Sequence, residues 1–330
     1  MQATMRAPLL AVLSLAAALV PVQELRAEGP PWKIAGGFSM DWEHVTIEVR
    51  PLAPNVYFLH GSGGNTVALL GPEGALLVDT EFGPVAPKLK AALASLGAGP
   101  TRYVISTHFH SDHTGGNAFF RREGAVLIAQ AQCRARLLEG EFSPYWGHFS
   151  PATPAEDAPT LTYENSLTLY FDGEEVTASH LQPSHTDGDT VVYFKKANVV
   201  HMGDIYINGL YPYVDTGAKG TIDGYFPVLD DVLSRTDAKT IVIAGHGPIS
   251  NRAELQAYRD MLWTVRNRVA ALLAQGKSLE EIIASRPSRE YDDAWASDRV
   301  GPDGFAVMVY QSLTGRHLDW HPASVVPEKR

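Results

Sequence analysis

The chain has 330 residues, 45% hydrophobic and 19% charged, which suits a globular fold and excludes a disordered one. Lys and Arg number 27 against 37 Asp and Glu, for a formal net charge of −10, so the chain is a poor binder of nucleic acid. A single cysteine, Cys133, excludes an intramolecular disulfide and reads as a partly buried free thiol on a helix.

Residues 1–27 carry Arg6, an apolar run over 7–20 and a small residue at Ala27, and read as a secretory signal peptide. A periplasmic or secreted protein is therefore expected. No later stretch is long and apolar enough to span a bilayer, so the mature chain is expected to make no stable membrane insertion. Residues 55–60 have the apolar content of a strand. The glycine-rich loop 61–65 follows, expected to be a mobile flap. Segments 66–70 and 75–79 form a hairpin across a Gly-Pro-Glu-Gly turn. Residues 87–96 have helical spacing, 103–107 read as a short strand, 117–122 as a helix and 125–129 as a strand. In the second half 167–171, 175–181, 190–194, 199–202 and 241–244 read as strands, with a helix over 226–233. Alternating strands and helices imply sheets covered by helices, and two β-rich halves suggest a four-layer αββα sandwich.

From Ala253 the pattern becomes helical. Leu255, Tyr258, Met261, Leu262, Val265, Val269 and Leu272 line one helix face that Gly276 ends. Ser278 and Glu281 spell a capping box for a second helix, and 305–313 forms a third. The expected organisation is a signal peptide over 1–27, a main domain over 28–252 and a helical extension over 253–330 packed on that domain.

The chemistry lies in His108-Phe109-His110-Ser111-Asp112-His113, directly after the strand predicted at 103–107. In extended chain, His108 and His110 point the same way and can serve one ion. After the turn that Gly115 and Gly116 permit, Asp112 and His113 can face a second ion beside it. His185, Asp204 and His246 each stand beside or near a glycine at a strand end. Together these are five His and two Asp, a donor set suited to two borderline divalent ions. The aromatic stretch holding Trp146 and the tyrosines after Asp204, Tyr211 among them, are candidate pocket walls. A phenol there could stabilise an oxyanion.

The His-x-His-x-Asp-His run, followed in order by His185, Asp204 and His246, resembles the metallo-β-lactamase superfamily, in particular its exported bacterial members. The resemblance implies one ion held by His108, His110 and His185, a second held by Asp112, His113 and His246, and Asp204 bridging the two. Asp79 would organise the ligands from behind. Two zinc ions are the expected cofactors, with iron or manganese as alternatives. A bridging Asp204 resembles glyoxalase II and the acyl-homoserine lactonases, whereas one large group of zinc β-lactamases carries Cys at that position. The tyrosine that those lactonases have three residues on is Ile207 here. The implied activity is hydrolysis of a carbonyl bond (lactam, lactone, ester or thioester) in a small-molecule substrate. Water activated between the ions would be the nucleophile, and Asp112 would orient it and shuttle its proton. A dedicated periplasmic β-lactamase and a non-catalytic metal-binding module are the competing readings. The sequence is compatible with a monomer or a homo-oligomer.

Overall fold

The computed structural model describes residues 32–34, 41–143, 145–146, 148–318, 320 and 325–327, so the expected signal peptide lies outside the described residues. A 7-stranded sheet is built, edge to edge, from Leu161–Tyr163, Val126–Gln130, Thr101–Ile105, Gly74–Val78, Thr66–Gly71, Val56–His60 and Glu48–Ala53. A 6-stranded sheet runs Ser166–Phe171, Glu174–Ser179, Val191–Phe194, Val199–His201, Ile241–Ile243 and Ser250–Asn251. Parallel pairings join the strands that helical connections separate, as between Gly74–Val78 and Thr101–Ile105.

The period of two decides which face each residue serves. Val67, Leu69, Leu76 and Val78 meet Val176, Ala178, Val192 and Phe194 across the gap between the sheets. Their neighbours Ala68, Leu70, Ala75 and Leu77 point outward beneath Leu89 and Leu93 of the helix Ala86–Ser95. On the far side Val191, Val200 and Val242 pack under the helices Ile222–Arg235, Arg252–Ala274 and Pro302–Thr314. The layers are helix, sheet, sheet, helix. The long helix Arg252–Ala274 buries Leu255, Tyr258, Met261, Leu262, Val265 and Val269 in the same cluster as that second sheet. Among the described residues no helix is long and apolar enough to cross a membrane.

Differences from the expected elements have local causes. The strand expected at 103–107 is Thr101–Ile105; the Ser106 amide still donates to the Ile128 carbonyl of the neighbouring strand, but the Thr107 amide turns to the Asp79 carboxylate. The helix expected at 226–233 begins at Ile222, four residues earlier. Thr221 caps it by accepting from the Gly224 amide, and Pro227 is carried inside its early turns. The segment Tyr291 to Val300, with the one-turn helix Asp292–Trp295, has no repeating pattern that sequence reading could catch.

Candidate metal centre

Both sheets contribute loops to one point. The run after Thr101–Ile105 supplies His108 and His110. The one-turn helix Ser111–Thr114 then redirects the chain so that Asp112 and His113 face the opposite side. From the second sheet come His185, between Glu174–Ser179 and Val191–Phe194, Asp204 just after Val199–His201, and His246 just after Ile241–Ile243. Ligand-bearing atoms of His108, His110, His185 and Asp204 converge in one set, and those of Asp112, His113 and His246 in another. Asp204 reaches both: one oxygen lies 3.1 Å from His113 Nε2, the other 3.5 Å from His246 Nε2 and 3.8 Å from His185 Nε2. The structure brings together the residues that the sequence singled out for ligation.

Surrounding hydrogen bonds fix which ring nitrogen carries the proton. His185 Nδ1 faces the Tyr213 carbonyl at 2.7 Å, and a carbonyl can only accept, so Nδ1 donates and Nε2 keeps its lone pair. His113 Nδ1 donates to Asp79 Oδ2 at 2.7 Å. His110 Nε2 donates to Asp215 Oδ2 at 2.9 Å. The Thr107 hydroxyl gives its proton to Asp79 Oδ2 and so accepts from His108 Nδ1 at 3.1 Å. The remaining nitrogens therefore point lone pair to lone pair: His110 Nδ1 lies 3.1 Å from His108 Nε2 and 3.0 Å from His185 Nε2. His113 Nε2 lies 3.3 Å from His246 Nε2, which also faces Asp112 Oδ2 at 3.2 Å, and Asp204 Oδ1 is buried with no hydrogen-bond partner. Acceptors facing acceptors without donors between them make a cavity that a cation fits.

The carboxylates draw positive charge to this point: on two of the rings they favour a proton, which an ion bound at the same nitrogen would displace. Burial and repulsion from His113 and His185 hold His108 well below its ordinary value. Burial also works against protonated His110, but the hydrogen bond and charge of Asp215 outweigh it and raise that ring to about 9. Burial opposes His246 in the same way, and Asp204 and Asp112 raise it to about 9. The two aspartates stay ionised despite burial because imidazoles surround them.

Several residues holding this arrangement were not singled out by the sequence. Asp215, 1% exposed, aims His110. Asp189 accepts from Ser184 Oγ, the Thr186 amide and Thr186 Oγ1, which clamps the loop presenting His185. Buried Glu81 accepts the amides of Gly61, Ser62 and Gly63. The expected flap 61–65 is consequently a pinned strap. Gly64 donates to the Asp112 carbonyl, Asn65 to that of Gly245, and a methyl on Gly64 would collide with the His113 ring. A lone acid without a ligand-like spacing offers no sequence signal, though Glu81, two residues past Asp79 at a strand end, offered a weak one.

The site floors a cleft of about 390 Å³ whose lining includes Trp42, Phe82, Trp146, Ile207, Leu210 and Tyr213. Trp146 lines it as expected, edge-on to Tyr145 and tilted against Tyr213. Tyr211 touches the same wall, but its hydroxyl is turned away, donating to Asp292 Oδ1 at 2.9 Å while the ring stacks on Phe305. Tyr213 and Tyr206 pair with Ser143 and Ser250. The expected oxyanion role for a phenol is not supported, since burial pairs each hydroxyl elsewhere.

Residues 59–250 match the family model of the metallo-beta-lactamase superfamily, a span that contains every expected ligand and more than half of the chain. The chain belongs to the metallo-beta-lactamase superfamily. It is therefore a member of a family of metal-binding hydrolases, and its His/Asp groups could hold metal. The chain is 27% identical over 172 residues to the 2,4-dinitroanisole O-demethylase subunit alpha of Nocardioides sp. (strain JS1661), covering 51% of this chain and 49% of that one. It thus spans about half the length of that curated relative. A metallo-beta-lactamase from Pontibacter korlensis is similar in fold, with TM-score 0.56 and 17% identity over 66% of this chain and 99% of that one. The stereoselective inverting sec-alkylsulfatase Pisa1 from Pseudomonas sp. gives TM-score 0.63 and 20% identity over 84% of this chain and 51% of that one.

Proposed function

We propose that this superfamily member is a dinuclear zinc hydrolase that cleaves a carbonyl bond of a small molecule: a lactam, lactone, ester or thioester. The observation that carries the reading is the pair of adjacent donor sets joined by Asp204, on the floor of a cleft with aromatic walls. His108, His110 and His185 would hold one ion, and Asp112, His113 and His246 the other, with Asp204 between them. Ions there would lower the pKa of a water toward neutrality and polarise the carbonyl. Asp112, partly open to the cleft, would orient that water, accept its proton at the carboxylate and return it to the leaving group. Trp42, Phe82 and Trp146 would hold the apolar part of the substrate and keep bulk water out.

The test is metal content together with turnover of nitrocefin, a carbapenem, a homoserine lactone, a p-nitrophenyl ester and an acyl thioester. About two ions per chain are expected. Ester, lactone or thioester turnover should fall ~100-fold or more in His110→Ala. Strong nitrocefin turnover would favour the dedicated β-lactamase, and bound metal with no turnover would favour the binding module. A protein that takes up no metal would overturn the proposal. Sulfate-ester hydrolysis is a second reading, since the likeness to the alkylsulfatase extends over 84% of the chain against 66% for the lactamase. A secondary alkyl sulfate in the same panel decides it.

A further inference from the structure

One wall of the cleft comes from outside the residues that match the family model. Ser297, Arg299 and Val300, in the segment between the helices Asp292–Trp295 and Pro302–Thr314, line it opposite His110, Asp112 and His246. The backbone of that segment is fixed. Tyr145 donates its hydroxyl to the Arg299 carbonyl at 3.1 Å, Ser297 donates its amide to the Val300 carbonyl at 3.1 Å, and Val300 donates its amide to Ser297 Oγ at 3.1 Å. Arg299 is nevertheless exposed, and among the described residues its guanidinium has no carboxylate partner. Arg259 pairs with Asp230, Arg266 with Asp223, Arg268 with Glu290 and Arg286 with Asp292, whereas Arg252 and Arg289, which do not line the cleft, share with Arg299 the lack of a carboxylate partner among the described residues.

No other Arg or Lys lines the cleft among the described residues, and the acids that line it, Asp112, Asp204 and Glu141, lie at its histidine end. Asp112 and Asp204 face imidazoles, while Glu141 lies against His110 and Asp215. The rest of the lining mixes apolar side chains, Trp42, Phe82, Trp146, Ile207, Leu210 and Val300, with tyrosines and serines. A guanidinium of a lining residue, with no hydrogen-bond partner among the described residues, matches a planar or tetrahedral oxyanion.

We propose that Arg299 is a specificity-determining residue that binds an anionic group, carboxylate or sulfate, at the far end of an amphiphilic substrate whose apolar body fills the cleft. The inference rests on the hydrolase reading of the same site and names its substrate class. The scissile group would lie at the His/Asp floor, the apolar portion against Trp42, Phe82 and Trp146, and the charged end at the guanidinium.

The experiment compares p-nitrophenyl esters with matched six-carbon acyl chains ending in a methyl, a carboxylate or a sulfate, on the metal-loaded wild type and on Arg299→Gln and Arg299→Lys. The wild type should favour an anionic ester over the neutral one by about tenfold in kcat/KM, mainly through KM. The ratio should collapse toward one in Arg299→Gln and recover in part in Arg299→Lys. The carboxylate and sulfate arms tell which anion is preferred. A wild-type ratio near one, or a ratio unchanged in Arg299→Gln, would overturn the proposal. Independently of turnover, tryptophan fluorescence compares binding of the octanedioic acid monoamide with that of the neutral diamide. Tighter binding of the monoamide by about tenfold in the wild type, lost in Arg299→Gln, is expected. If no ester is turned over while that difference persists, the hydrolase reading fails and the anion site stands. If esters are hydrolysed but neither ratio depends on Arg299, the reverse holds.

Discussion

Asp215 shows how one side chain can govern a metal site without being a ligand. It is buried, accepts from His110 Nε2 at 2.9 Å and from the Ala218 amide at 3.1 Å, and so sets the rotation of a ring whose Nδ1 faces His108 and His185. Asp215→Asn keeps the shape but removes the charge that raises the basicity of the ring. Metal affinity measured by competition with a chromophoric chelator should fall ~10–100-fold with the far-ultraviolet circular dichroism unchanged. An unaltered affinity would reduce Asp215 to packing. Tyr211 makes the opposite case. Its hydroxyl is spent on Asp292, so Tyr211→Phe should cost about 1 kcal/mol in a denaturant titration and leave kcat within about twofold. Cys133 is fully buried, and burial pushes its thiol up, away from the reactive thiolate. Ellman's reagent at pH 8 should therefore titrate it only after unfolding, and prompt reaction of the native protein would contradict that placement.

At the scale of elements, the strap 61–65 carries the most specific demand. Glu81 gathers three successive amides, the Asn65 side chain donates to the Ala244 and Gly247 carbonyls at 2.9 Å, and Gly64 lies flat on His113. Gly64→Ala would push His113 off Asp79, at about 1–3 kcal/mol of stability by overpacking. Loss of metal content should accompany the fall in melting temperature, and an unchanged metal stoichiometry would mean that the ring has room to move. Elements with a repeating signal were legible in the sequence. The face of Arg252–Ala274 shows its 3.6-residue period, and the Ser278–Glu281 box forms both of its bonds. The ligands were legible because their spacing is itself a signal. Glu81 and Asp215 were not, because each acts through a contact far away in sequence, and Asp189, which grips Ser184 and Thr186 close by, has no ligand-like spacing to mark it. The strap was misread as mobile because glycine permits both motion and close approach, and only the neighbouring His113 decides between them.

On the scale of the whole molecule, the ligands are shared between the two sheets: His108 to His113 follow the first, and His185, Asp204 and His246 belong to loops of the second. Ions held there would cross-link the two halves of the sandwich, and their binding would appear directly as stability. The two sheets also share the core cluster between them, where Val67, Leu69, Leu76 and Val78 meet Val176, Ala178, Val192 and Phe194, so neither half unfolds without exposing apolar surface of the other. One cooperative transition is therefore expected with and without metal, displaced in temperature rather than split. At free metal 100-fold above its dissociation constant, each ion contributes about 2.7 kcal/mol, so two contribute about 5 kcal/mol. For a protein of this size, with an unfolding entropy of about 0.7 kcal/mol/K, that corresponds to a fall of roughly 7–8 °C on chelation. Differential scanning calorimetry before and after EDTA, with re-addition of zinc, measures it. A single peak that moves down and recovers on zinc addition is the expected result. An unmoved peak would mean that the converging lone pairs are satisfied without a cation, and two peaks would mean that the sheets do not share the site as one unit.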